Sequence, residues 1–139
     1  SSIEALDFLD LSFNLIKTIE PNIFKVHNLH MDNNKIENLE NFTFGFKDMD
    51  YFYMGKNCLN QFPFKQIENL KSISKEFDLS NNLLNSLENK FNRVVLVLSI
   101  SFRYNKIEII DEDFFNQLRF LIFLDLSLNN LTQLSQNTF

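Results

Sequence analysis

Apolar and polar positions alternate in short bursts along this chain, and the bursts return in step. In Leu9-Asp10-Leu11 two apolar residues flank a polar one. On an extended backbone Leu9 and Leu11 then share one face and point inward, while Phe8, Asp10 and Ser12 point outward. Five further bursts follow, and each is closed by an asparagine. The six are Asn14, Asn34, Asn57, Asn82, Asn105 and Asn129, at spacings of 20, 23, 25, 23 and 24 residues. Apolar residues hold fixed offsets around them, as in Leu6, Leu9, Leu11, Ile16 and Ile19 of the first repeat and Val97, Ile100, Phe102, Ile107 and Ile110 of the fifth. The pattern predicts six short parallel strands centred near Leu9, His30, Phe52, Asp78, Ser101 and Asp125. One such strand cannot bury its apolar side alone, whereas stacked copies share a continuous core. Ile73 and Phe77 lie four apart where the pattern has three, which predicts a bulge near Ser74–Glu76. The first repeat is three or four residues short, so its far side must be tight.

Each coil has to turn away from the sheet with its backbone buried, and buried amides need partners. An asparagine side chain both donates and accepts, so it can satisfy such a turn. The six asparagines are therefore read as a structural column and not as ligands. A second column, Phe24, Phe44, Phe91, Phe115 and Phe139, with Ile67 standing in for the third repeat, reads as a stacked spine on the side away from the sheet.

These residues resemble the leucine-rich-repeat pattern LxxLxLxxNxLxxLxxxxFxxLxx over essentially the whole chain. The Phe ten residues after the asparagine and the period near 24 resemble the "typical" subclass, found in Toll-like receptors, chaoptin-like adhesion proteins and small proteoglycans. The resemblance implies an α/β fold: a right-handed solenoid bent into a horseshoe arc, with a parallel β-sheet on the concave side and loops and short helical turns on the convex side. It also implies a protein–protein recognition module, a segment of an extracellular or cell-surface receptor or adhesion protein. An intracellular leucine-rich-repeat scaffold or regulatory subunit is the alternative. Residues 1–139 read as one domain of six repeats. Neither Ile3 and Leu6 at the start nor Phe139 at the end belongs to a polar cap. The expectation is a fragment of a longer array, whose uncapped ends invite self-association.

Composition narrows the chemistry. A net charge of −5 argues against a nucleic-acid partner, because phosphates need clustered Lys and Arg. The longest apolar stretch, Val94–Leu98, is far short of the roughly 20 residues that span a bilayer. No charged-then-apolar leader is visible. The single cysteine, Cys58, excludes an internal disulfide. There is no Gly-rich phosphate loop and no nucleophile–base arrangement with supporting context, so no enzyme activity and no cofactor are expected. His27 and His30 are placed by their odd spacing on opposite sides of a strand with no third ligand, so no metal site is expected. Asp111-Glu112-Asp113 reads as a solvated loop, too poor in oxygen ligands for calcium.

The outward strand positions hold the candidate binding residues: His30, Tyr51, Tyr53, Asp78 and Arg103. Tyrosine and arginine are typical contact residues, and two outward rings on one strand have no packing reason. The Asp-Leu-Ser triplets at Asp10, Asp78 and Asp125 equally read as ordinary strand filling. Acidic neighbours favour a protein partner with a basic face. Asn41-Phe42-Thr43 and Asn130-Leu131-Thr132 are candidate glycosylation sequons. Twenty Asn and fifteen Ser plus Thr in 139 residues yield about two such triplets by chance, so Asn41 and Asn130 scarcely bear on the compartment.

Overall fold

A computed structural model describes residues 4–20, 22–40, 42–88 and 91–139. In chain order its elements are β1 (Leu6–Asp10), β2 (Asn22–Phe24), β3 (Val26–His30), β4 (Phe42–Phe44), β5 (Asp48–Tyr53), α1 (Phe64–Glu68), β6 (Ser72–Asp78), β7 (Ser86–Leu87), β8 (Leu96–Val97), β9 (Ser99–Ser101), β10 (Ile109–Ile110) and β11 (Phe123–Asp125). The six predicted strands all form. They stack as β1-β3-β5-β6-β9-β11, every pair parallel, with β8 added beside β6. The chain is a parallel β-solenoid of about five turns, with a repeat near 23 residues.

The register follows the hydrophobic pattern. Leu29, Phe52, Phe77 and Ile100 form one inward row and are essentially inaccessible. Burying each such side chain contributes about 1.5–3 kcal/mol. The inward set continues unbroken from Val26 to Leu118. The predicted bulge is present: Met49 pairs with Ile73 but Tyr51 pairs with Glu76, so β6 holds one extra residue there.

After each strand the backbone turns sharply. Phe13, Asn33, Lys56, Asn81, Tyr104 and Leu128 all have φ between 51° and 58°, and each directly precedes one of the six asparagines. None is β-branched, the class least tolerant of this conformation. The asparagines then join neighbouring coils. Asn57 Oδ1 accepts the Ile36 amide of the preceding coil at 3.0 Å, and Asn57 Nδ2 donates to the Met31 and Met54 carbonyls at 2.9 and 3.1 Å. Asn34, Asn82, Asn105 and Asn129 repeat this arrangement. Asn14 is exposed and bonds to the Leu11 and Ser12 carbonyls of its own coil.

The returns differ from expectation. Loops and short helical turns were expected there; the sole helix among the described residues is α1, five residues long. Two further parallel strand pairs, β2–β4 and β7–β10, occupy returns instead. Length accounts for part of this. Extended backbone covers about 3.3 Å per residue against about 1.5 Å in a helix, so the short first coil returns as strand. The 25-residue interval between Asn57 and Asn82 has room for α1 and for the bulge. Arg93 holds the end of α1, its guanidinium donating to the Glu68 and Leu70 carbonyls.

The aromatic spine also needs correction. Phe115 does stack on Phe139 at 5.6 Å, but the buried aromatic cluster is built on Phe62, Phe91 and Phe114. Phe91 and Phe114 both lie nine residues after their asparagine, not ten. Both adjacent rings of the fifth coil are in the core, Phe114 more deeply than Phe115. The side chain of Phe24 is outside the described set.

Candidate functional site

The outward face of the main sheet gathers several of the candidate residues. In register order, one row runs Asp10, His30, Tyr53, Asp78, Ser101 and Asp125. Their alternation with buried neighbours follows from the inward row beside them. The next row brings together Asn28, Tyr51 and Glu76. Aromatic rings run across the strands here, Phe8 to His30 at 4.9 Å and His30 to Tyr53 at 4.5 Å, and Tyr51 lies 5.8 Å from Tyr53 along β5.

Charge on this face has clear causes. The Tyr53 hydroxyl donates to Glu76 Oε2 at 2.6 Å. Partial burial and then this carboxylate hold the phenol protonated well above its usual range. The Asp32 carboxyl is pushed above the ordinary carboxylate range, first by burial and second by the like charge of Asp78. Asp32 Oδ1 accepts the Gly55 amide at 3.2 Å. Asp78 has a structural task as well, since Oδ1 accepts the Ser80 amide at 2.7 Å. Asp10 and Asp125 do the same for Ser12 and Ser127, and bonds from those serines hold both carboxyls below the usual range. The Asp-Leu-Ser triplets thus fasten the ends of β1, β6 and β11.

Between the carboxylates lies a depression of about 350 Å³, lined among others by His30, Asp32, Tyr53, Gly55, Lys56 and Asp78. Gly55 lets the Asp78 and Ser80 side chains close in at its edge. A Cβ at that position would sit 2.9 Å from Asp78 Oδ2 and 3.2 Å from Ser80 Oγ.

The structure therefore joins His30, Tyr53 and Asp78, with Tyr51 one row away. It leaves Arg103 apart: its Nη1 donates to Ser127 Oγ at 2.5 Å in the next coil. Sequence reasoning missed Lys75, which the bulge in β6 turns outward. Its Nζ lies 5.2 Å from the Tyr51 ring centre and 3.9 Å from Asp50 Oδ2. The four-residue gap between Ile73 and Phe77 was the available signal. It missed the partnership of Asp32 with Gly55 because their positions, 23 residues apart, look unrelated until the coils stack.

Other candidates resolve differently. His27 was placed opposite His30, yet neither side chain enters the core, because β3 buries Val26 and Leu29 and leaves two successive outward residues between them. His27 stacks on Phe46 at 4.4 Å and lies 3.6 Å from Asp7. Among the described residues no group of three or more His, Cys, Asp or Glu is arranged to hold a metal ion. Among them also, no helix is long and apolar enough to cross a membrane. Asn130 is exposed, and Asn41 lies outside the described residues. A larger hollow of about 1100 Å³ sits among the returns, but its aromatic walls, Phe62 and Phe64, already pack on Phe91 at 6.0 and 4.5 Å.

No protein-family model matches the chain, and no curated protein matches its sequence. The reading of this face rests on its own chemistry.

Proposed function

We propose that this chain is a protein-recognition module of leucine-rich-repeat type, a right-handed arc that binds another protein on the outward face of its main sheet. The observation that supports it most is the ring row Phe8–His30–Tyr53 with Tyr51 beside it, held off the core on a stacked parallel sheet. Rings fixed this way offer wide amphipathic area and lose little side-chain entropy on binding. The acidic surroundings favour a partner with a basic face. The repeat subclass favours an extracellular or cell-surface receptor or adhesion protein, by analogy of fold. The competing reading is an intracellular scaffold. Glycan on Asn41 or Asn130 of the native protein separates the two, since its detection excludes the intracellular compartment.

Photo-crosslinking tests the face. A photoreactive residue at Phe123, exposed on the outward side of β11, should capture the partner, and one at Ile109, exposed on the return strand β10, should not. Capture from Ile109 alone would place the partner on the returns and defeat the proposal.

A further inference from the structure

We propose that the depression over Gly55 is a seat for one arginine side chain of the partner bound on this face. This rests on the recognition reading above and adds the chemistry of the contact. The chain itself displays the interaction on the same face, one row away. Lys75 brings its ammonium 5.2 Å from the Tyr51 ring and 3.9 Å from Asp50, so a tyrosine and a carboxylate together hold a cation. At the adjoining position the same ingredients recur, with the Tyr53 ring, Asp32 and Asp78 around Gly55, and no ion pair to either carboxylate among the described residues. Lys56 also borders the depression without such a pair. Its ammonium would compete weakly, because it is an exposed, solvated group on a flexible stem.

Shape and charge agree. The depression supplies the space, and because Gly55 has no Cβ, Asp78 Oδ2 can close in at its edge while Oδ1 is taken by Ser80. Asp32 reaches the same floor through the Gly55 amide. A planar guanidinium can stack against a ring while its fork reaches two carboxylates, which a lysine ammonium does less well. Asp32 pays a standing electrostatic penalty from burial and from Asp78, and a bound cation would relieve it.

The chain has only two glycines, Gly45 and Gly55, so their amide signals are easily followed by NMR. The probe is a triarginine peptide with blocked termini, at an ionic strength of about 0.15 M so that diffuse attraction is screened. The Gly55 amide should shift saturably while Gly45 does not, and triglutamine should move neither. Gly55→Ala keeps the net charge but puts a Cβ against Asp78 Oδ2, which has to move, and should weaken triarginine binding roughly tenfold or more. Glu108→Gln, which removes a distant exposed charge, should change it less than about twofold. If Gly55→Ala does not fold, Asp78→Asn takes its place with the same expected loss, since its Oδ1 still accepts the Ser80 amide. Equal binding by wild type and the notch variants, a Gly55 amide that stays still, or no binding at all overturns the seat. Should that happen while a natural partner still depends on Tyr51 and Tyr53, the seat alone is wrong and the recognition face stands.

Discussion

Asn105 and Asn14 hold the same place in the repeat but not the same set of bonds. Asn105 is buried and ties Leu84, Leu79 and Phe102 together, whereas Asn14 is exposed and bonds only within its own coil. Removing a side chain that leaves buried backbone groups unpaired costs about 1–3 kcal/mol. Asn105→Ala should lose that much in denaturant unfolding, and Asn14→Ala should lose clearly less. Equal losses would mean that the column does not join the coils. Lys56 tests the turn beside it. Its φ of 51° costs an ordinary residue about 1–2 kcal/mol, so Lys56→Gly should be neutral or stabilising and Lys56→Val destabilising by thermal melt. Asp32 makes a pH-dependent prediction. Its folded pKa is raised, so its contribution to stability is greatest below the unfolded value and declines as pH rises through the folded one. Asp32→Asn keeps the amide contact and removes the charge. It should melt higher than wild type near pH 7, and the gain should vanish below about pH 4. Asp10 and Asp125 act in the opposite sense, so the wild-type-to-variant difference is the quantity to follow. Where Asp32→Asn stabilises the fold, it should also weaken arginine binding, a common trade at binding sites.

Among the elements, the strands were legible in the sequence and the returns were not. Period-two alternation closed by asparagine specifies register strongly, because a slip of one residue would turn the whole inward row to solvent. The bulge was legible for the same reason. The returns have no shared period: their lengths differ, and each finds its own structure, strand in some and α1 in another. Counting ten residues from each asparagine picked Phe115 but missed the more deeply buried Phe114, because only packing decides how two adjacent rings share the core. The site was legible as a face, since outward positions follow from inward ones. The Gly55 notch was not, because it depends on side chains 23 residues apart meeting across coils. Two phenylalanines check the phase directly. Phe77 is fully buried and stacked on Phe52 at 5.2 Å, so Phe77→Ala should cost about 3–5 kcal/mol. Phe123 is 56% exposed, and Phe123→Ala should stay within about 1 kcal/mol. Similar losses at both would put the inward and outward faces in doubt.

For the whole molecule, stability in a solenoid is close to a sum of repeat and neighbour terms, and the outermost described strands have a neighbour on one side only. Leu9 and Leu11 by β1, and Leu124 and Leu126 by β11, are half-buried, and Ile122 is 83% exposed. Open strand edges beside apolar side chains favour association. We expect concentration-dependent self-association in sedimentation, shifted toward monomer by Ile122→Lys; a monomer that persists across all concentrations would contradict this. The stacked sheet also explains why recognition is assigned to one face. Its rows bring residues from distant parts of the chain within about 5 Å of their neighbours, as one patch on a rigid base. The most direct test of that assignment uses the crosslinked partner and two double variants. Tyr51→Ala with Tyr53→Ala alters the sheet face, and Asp111→Ala with Asp113→Ala alters the returns. Loss of about 2 kcal/mol or more of binding free energy in the first pair and near zero in the second is the predicted result, and the reverse pattern would contradict the account.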